Sequence, residues 1–286
     1  MDIEDGVADL HIHTKASDGT NTVDERIEQA KDRGLDAIAI TDHDAISESL
    51  TERVTHRDGV KLISGVEIRA DVFDTKVEIL GYFVDPTEET LRGTLAQARQ
   101  FRRDRNETMV KNLAETTGLD LSYDEMRERA DGNLGRPQMA ERLVDDGVVD
   151  SIGEAFEKYL GTDGDAYAPM KRLPAPRVID AIQAASGIAS LAHPGRIRSD
   201  RVPEMVMELV ESGLDAIEVC YPYDASGGPD AYADVGIEDA AALKTEYDLL
   251  ETGGSDCHGP DSGKFRIGDV RVTDDVLSEL RQEADL

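Results

Sequence analysis

Four short histidine motifs, spread from one end of the chain to the other, set the strongest constraint on how this sequence folds: DLHIHTKASDG at 9–19, ITDHD at 40–44, LAHPG at 191–195 and GGSDCHG at 253–259. They hold five of the six histidines, supply isolated acidic residues, and sit where apolar runs end. A fold that serves all of them must gather several strand ends at one place. His11 and His13 are two residues apart, so on a strand both rings emerge from one face while Leu10 and Ile12 pack on the other. Asp18 follows in a polar turn containing Gly19. His43 lies between Asp42 and Asp44 at the end of AIAI, and either aspartate is a candidate to accept a hydrogen bond from its ring and fix the tautomer. Imidazole nitrogens and carboxylate oxygens together suit divalent ions such as Zn, Mn or Fe, with harder ions favouring the carboxylates.

Between the motifs, short apolar runs alternate with helical patterns. VADLHI is followed by a helix at 23–33, DAIAI by a helix near 47–56, and then come KLISGVEI and KVEILGYF. Thr22 and Glu25 have capping-box spacing, and Gly34 is a stop signal. After Pro86 the strand signals vanish. Residues 87–118 read as one long helix, with shorter helical stretches near 122–130, 137–146 and 152–160. Alternation then resumes: a helix at 176–186, GIASLAHP, a helix at 203–212, DAIEVCY, a helix at 236–247, DLLETGGSD and a last helix at 274–284. The words GLDAIAI at 34–40 and GLDAIEV at 213–219 echo each other, which points to repeated units. The pattern predicts an α/β fold with a mainly parallel sheet, open or closed, a first strand–helix part at 1–86, a helical insertion at 87–175 and a second strand–helix part at 176–286. In such folds sites assemble at the carboxyl edge of the strands, so His11, His43, Glu67, His193 and His258 are expected to converge.

Composition narrows the partners. The 61 acidic against 31 basic residues give a formal net charge of −30, and only nine of the basic residues are lysine. Acids spread over amphipathic segments, with 39% hydrophobic residues, predict a folded chain and not a disordered one. The balance points to halophilic adaptation, or else to an unusually acidic mesophilic protein. Long nucleic acid is an unexpected partner for so acidic a chain, whereas a short anionic substrate at a metal site is compatible with it. Two dispersed cysteines, an acidic MDIEDG start unlike a signal peptide, and the lack of a membrane-spanning apolar run predict a cytoplasmic protein.

As a set, DLHIHTKASDG, ITDHD, GVE, LAHPG and GGSDCHG resemble the PHP family, named from polymerase and histidinol phosphatase, everywhere outside the helical insertion. The resemblance implies a distorted seven-stranded (β/α)7 barrel holding two or three divalent ions, Mn2+ first, with Zn2+, Fe2+ or Mg2+ as alternatives. It implies His11, His13, Asp18, His43, Glu67, His193, Asp256 and His258 as ligands. The insertion words GRPQMAERLV at 135–144 and DAYAPMKRL at 165–173 are similar to a subgroup of small phosphoesterases acting on nucleoside 3′,5′-bisphosphates and the 5′ ends of short RNA. Two positions depart from that pattern. Where members commonly have histidine this chain has Glu78, which either binds metal through oxygen or marks the loss of one ion. Where they have GRPH it has Gln138, which can hydrogen-bond substrate but carries no proton at neutral pH.

The expected chemistry is hydrolysis of a phosphate ester by a metal-activated hydroxide. Glu67 is the expected bridging carboxylate, and Asp256 the group that orients or deprotonates the attacking water. Arg136, Lys171, Arg172 and Arg196 are candidate phosphate clamps, each also readable as a surface ion pair, and Gln138 joins them as a substrate contact. His56 reads as solvated in a polar helix, Cys257 as a buried thiol, and Tyr82, Tyr221 and Tyr223 as packing residues. Three function classes stand in order: a phosphoesterase for nucleotides or very short RNA with the insertion as lid, a smaller histidinol-phosphatase-like phosphomonoesterase, and a noncatalytic metal-binding module.

Overall fold

Why the first strand forms is visible in its pattern: all five residues of β1 (Ala8–Ile12) are buried, as a strand covered on both faces requires. The computed structural model describes residues 7–130, 134–223, 235–259 and 266–286; the acidic start at 1–6 lies outside them. The helix α1 (Val23–Asp32) begins at the expected capping box: the Thr22 side chain accepts from the Glu25 amide at 3.2 Å, and Glu25 accepts from the Thr22 amide at 2.7 Å. After it come β2 (Ala37–Ile40), β3 (Val54–Arg57), the long β4 (Val60–Val72) and β5 (Thr75–Tyr82). The helices α2 (Glu89–Thr117), α3 (Tyr123–Arg129), α4 (Arg136–Asp145) and α5 (Ile152–Ala155) follow, the last continuing as a π-helical turn at Phe156–Leu160. The chain then forms β6 (Leu173–Pro174), α6 (Ala175–Ala184), β7 (Ile188–Leu191), α7 (Val202–Glu211), β8 (Ala216–Cys220), α8 (Ile237–Glu246), β9 (Leu250–Gly253) and α9 (Asp274–Glu283).

One expectation is corrected. The helix near 47–56 is absent; residues 54–57 form β3, paired antiparallel to β4 with Val54 opposite Ile63. The reason is the Asp58-Gly59 turn, in which both residues have positive φ (52° and 89°), the geometry a two-residue hairpin demands. His56 is therefore exposed on a strand, not on a helix. The sheet is mainly parallel, as expected, with antiparallel exceptions at β3 and β5. A second tight turn at Phe73 and Asp74 (φ 51° and 60°) reverses β4 into β5, and β5 runs antiparallel to both β4 and β7. The pairs β1–β2, β2–β4, β4–β6, β7–β8 and β8–β9 are parallel.

The principal path is β1-β2-β4-β5-β7-β8-β9, with β3 and β6 added onto β4. Its two ends meet through the segment after β9: Cys257 bridges Ile12, with the His13 amide donating to the Cys257 carbonyl at 2.9 Å. This is the distorted barrel of the sequence reading, its seven-strand path joined by bridges instead of a full ladder. Two apolar clusters stabilise it, one around Leu10, Leu80, Tyr82 and Leu277 and one around Ile12, Ile27, Ile38 and Leu62. Each such side chain contributes about 1.5–3 kcal/mol on burial.

The chain divides into two compact units, residues 1–98 with 172–286, and residues 99–171. The first boundary between them falls inside α2. The second unit's own core gathers Met109, Leu113, Met126, Met139, Leu143 and Leu160. Among the described residues no helix is long and apolar enough to cross a membrane.

Candidate metal centre

Every strand end that carries a histidine motif contributes to one cluster in the barrel unit. His11 and His13, both fully buried, project from β1 and the residue just beyond it. His43 follows β2 and bridges Glu67, which lies in the middle of β4. His193 follows β7, with φ 27°, and Asp256 and His258 follow β9. Glu67 is the hub. Its Oε1 lies 3.1 Å from His193 Nε2, and its Oε2 lies 2.8 Å from His43 Nδ1, 3.5 Å from His13 Nε2 and 3.7 Å from His11 Nε2. Asp256 Oδ1 is 3.2 Å from His13 Nε2, and Asp18 Oδ1 is 3.2 Å from His258 Nε2. Asp18 Oδ2 stands 3.7 Å from His43 Nε2.

The contacts of Glu67 Oε2 are close without being hydrogen bonds. His11 Nε2, both ring nitrogens of His13, His43 Nδ1 and Glu67 Oε2 are buried and lack a hydrogen-bond partner among the described residues. Leaving a buried polar atom unpaired costs about 1–3 kcal/mol, so five in one place is a state only a shared ligand relieves. Three groupings each bring their donor atoms within 4.8 Å of one another: His13, Asp18, His43 and His258; His11, His13 and Asp256; His11, Glu67 and His193. Nitrogen and carboxylate donors in that mixture fit divalent transition ions.

The PHP domain description matches residues 9–175. The chain belongs to the PHP domain family. A 5′-3′ exoribonuclease of Haemophilus influenzae is 30% identical over 273 residues, covering 94% of this chain and 96% of its own. A 3′,5′-nucleoside bisphosphate phosphatase of Chromobacterium violaceum is 30% identical over 266 residues, covering 91% and 90%. The crystal structure of a candidate metal-dependent phosphoesterase from Bifidobacterium adolescentis is similar with a TM-score of 0.79 and 29% identity, over 98% of this chain and 96% of that one. The expected PHP fold and the expected class, a metal-dependent hydrolase of phosphate esters, both hold.

Several residues that shape the PHP centre escaped the sequence reading. The fully buried Glu218 accepts from His11 Nδ1 at 2.9 Å and from the His193 amide at 2.7 Å, fixing the His11 tautomer so that Nε2 turns inward. Its signal was the echo of GLDAIAI and GLDAIEV: a carboxylate stands where the first word has Ala39. Asp42 was a candidate partner for the His43 ring. It instead braces the loop that carries Asp18, accepting from the Thr14 amide at 2.7 Å, Thr14 Oγ1 at 2.6 Å and Ser17 Oγ at 2.6 Å. Asp9 ties β1 to the last motif through the Ser255 amide at 2.9 Å and Ser255 Oγ at 2.6 Å. Gly254 allows that approach, since a Cβ there would collide with the backbone of His11. Tyr221 does more than pack: its hydroxyl donates to Asp256 Oδ2 at 2.9 Å. Arg26, fully buried, donates to the carbonyl of His13 (2.8 Å) and to that of Cys257 (3.2 Å), joining the first motif to the last.

Electrostatics in the PHP centre separate its two β1 histidines. Burial drives the pKa of His13 down to about 3, and the neighbouring His258 adds to the effect. Neutral His13 thus offers a lone pair across the physiological range. For His11 burial acts in the same direction, but Glu218, Glu67 and Asp256 outweigh it and hold its pKa well above the ordinary value. Glu67 is stabilised as a carboxylate: burial opposes its charge, while His43 and His11 pull its pKa well below the usual range.

The proposed substrate contacts are placed as follows. Arg172 forks onto Asp71, with Nε and Nη2 at 2.9 and 2.6 Å from Oδ2, the surface-ion-pair alternative of the sequence reading. Arg196 lies in the turn after β7 and acts on the Tyr221 hydroxyl. In the helical unit Arg136 lies over the Phe156 ring at 5.6 Å and donates to the Leu160 carbonyl. Gln138 Oε1 accepts from the Gly135 amide at 3.0 Å, closing the first turn of α4. Lys171 is exposed.

Proposed function

We propose that this PHP protein cleaves phosphate esters of nucleotides, such as nucleoside 3′,5′-bisphosphates, or the 5′ ends of short RNA, with Mn2+ as the working ion. The observation that carries the reading is the convergence of four histidines on Glu67, with His258 joining through His13 and Asp18, and five orphaned donor atoms at the centre. His11, His13, Asp18, His43, Glu67, His193, Asp256 and His258 are the residues that would hold the ions. When bound, divalent ions supply Lewis acidity, acidifying the attacking water and offsetting charge on the phosphoryl oxygens.

The chain's own residues divide the remaining work. Asp256 presents Oδ1 to the cluster while Tyr221 holds Oδ2, so one oxygen is fixed and the other is aimed to orient the attacking water and take its proton. Glu67 reaches His43, His11, His13 and His193 from one carboxylate, as a bridging ligand must. Arg196, next to Tyr221, is the barrel-unit guanidinium suited to pair with phosphate oxygens. On sequence grounds alone the proposal extends to Arg136, Gln138, Lys171 and Arg172 as substrate contacts, and to a cytoplasmic, high-salt setting for the enzyme.

The test is phosphate release from adenosine 3′,5′-bisphosphate, 5′-phosphorylated dinucleotides and histidinol phosphate, in concentrated KCl with added Mn2+. Turnover of either nucleotide class above histidinol phosphate is the expected result. Preference for histidinol phosphate would replace the nucleotide reading with the phosphomonoesterase one, and no turnover by folded, Mn-loaded protein would sink both.

A further inference from the structure

Glu78 sits at a fourth corner of the cluster, where His43, Glu67 and Glu78 bring donor atoms within 4.8 Å of one another. That corner differs from the rest, because both oxygens of Glu78 already face cations. Oε1 accepts from Arg69 Nε at 2.9 Å, and Oε2 lies 2.8 Å from Lys76 Nζ. The hairpin register dictates this arrangement. Arg69 is directly opposite Glu78 on the β4–β5 ladder, and Lys76 precedes Glu78 by two residues on the same face of β5. Glu67 precedes Arg69 by two residues on β4, so the guanidinium follows the hub carboxylate along one face. Glu78 is not among the buried groups left without a partner.

We propose that Glu78 is not a metal ligand in this protein: it anchors Arg69 as a protein-borne cation at this corner, and Arg69 there meets the phosphoryl group of the substrate. An ion taking Glu78 would have to pull a buried carboxylate away from two cations and come to rest beside them, losing two opposite-charge pairs and gaining two like-charge ones. Asp44 and Asp18, on loops that carry the cluster, also act on Arg69; burial opposes its charge, and Glu78 with these two more than offsets that. Glu78 engages Nε of the guanidinium, whose terminal nitrogens are the ones that match phosphoryl oxygens in pairs. Unlike a bound ion, this positive charge cannot be removed by a chelator. The second half of the proposal rests on the phosphoesterase reading; the first concerns only how many ions bind.

The ion count is measured by elemental analysis and titration calorimetry on Mn-loaded protein. Glu78→Gln is expected to bind as many ions per chain as the natural sequence, and loss of one equivalent overturns the proposal. The double variant Arg69→Met with Glu78→Met removes both charges together, so it keeps the test open should the single variant unfold. It too is expected to keep the full ion count, and a missing equivalent in the folded double variant has the same overturning force. For Arg69, the probe is inorganic phosphate binding to loaded protein. Arg69→Met is expected to weaken it by about tenfold, the scale of one charge-assisted hydrogen bond, with Arg69→Lys in between. Unchanged phosphate affinity in Arg69→Met overturns the role given to the guanidinium. Neither readout needs turnover, so a protein that behaves this way yet cleaves no phosphate ester counts against the phosphoesterase reading alone.

Discussion

Around His11, His13 and Glu67 buried donor atoms stand without partners, whereas across the β4–β5 hairpin the carboxylate of Glu78 has two. The residue types are nearly the same in both places, and burial is similar: Glu67 is 1% exposed and Glu78 7%. What differs is the sign of the charge the chain itself supplies. Where the chain offers only donors, it leaves a cation to come from solution; where it offers Arg69 and Lys76, the site closes on itself. Satisfaction of donor atoms, more than the roster of histidines and carboxylates, distinguishes a ligand site from an ion pair.

The comparison is broken most forcefully at its orphaned side. His13→Ala removes a ring shared by two of the groupings, and we expect activity to fall by about 10²–10⁴-fold, the range associated with losing a positioned catalytic group. Retention of more than a tenth of the activity would mean that the orphaned atoms are not where the chemistry happens. One step back from the donors, Glu218→Gln should lower Mn2+ affinity by about 10–100-fold while the protein still folds, as titration calorimetry would register. If affinity is unchanged, the contact with His11 does not orient a ligand.

Protonation gives a third handle. Between the ordinary value of 6.5 and about 3, the unfolded chain binds a proton at His13 that the folded, metal-free protein does not. Stability on this account therefore rises with pH across that window and is lost as pH falls, by at most about 1.4 kcal/mol per pH unit. His11 has the opposite sign, contributing stability below 6.5 that is lost as pH rises through its raised value. Urea unfolding of metal-free protein should accordingly show a shallower acid loss in His13→Gln than in the natural sequence; equal slopes would remove His13 as the cause. The smallest effect is expected at the satisfied periphery. Arg172→Met breaks a partly exposed pair with Asp71 and should cost under about 1 kcal/mol in thermal unfolding. A loss well above that would mean the pair is more than a peripheral one.

Much of this was legible in the sequence because the informative residues obey local rules. His11 and His13 follow the two-residue strand period, Thr22 and Glu25 form the capping box their spacing calls for, and each motif falls where its apolar run ends. What was missed depends on partners distant in the chain. Glu218 is a lone carboxylate inside an apolar strand, and its purpose appears only when β8 lies beside β7 and its carboxylate reaches His11 on β1. Asp42 and Asp44 looked equivalent next to His43, but only the folded loop shows Asp42 bracing Thr14 and Ser17. The β3 hairpin reads as helix in the sequence because four residues of VTHR carry little periodicity, although Asp58-Gly59 is itself a turn signal. Arg69 and Glu78 could not be paired before the register of β4 and β5 was known.

The clasp made by Arg26 has a consequence for biosynthesis. A single side chain holds the carbonyl of His13 and that of Cys257, so the first strand and the last motif complete each other. A chain still being translated has emitted His11, His13 and His43 long before Asp256 and His258 exist. The nascent protein is thus a collection of half-formed chelators, and the full set of ligands comes together only after the last motif has been made.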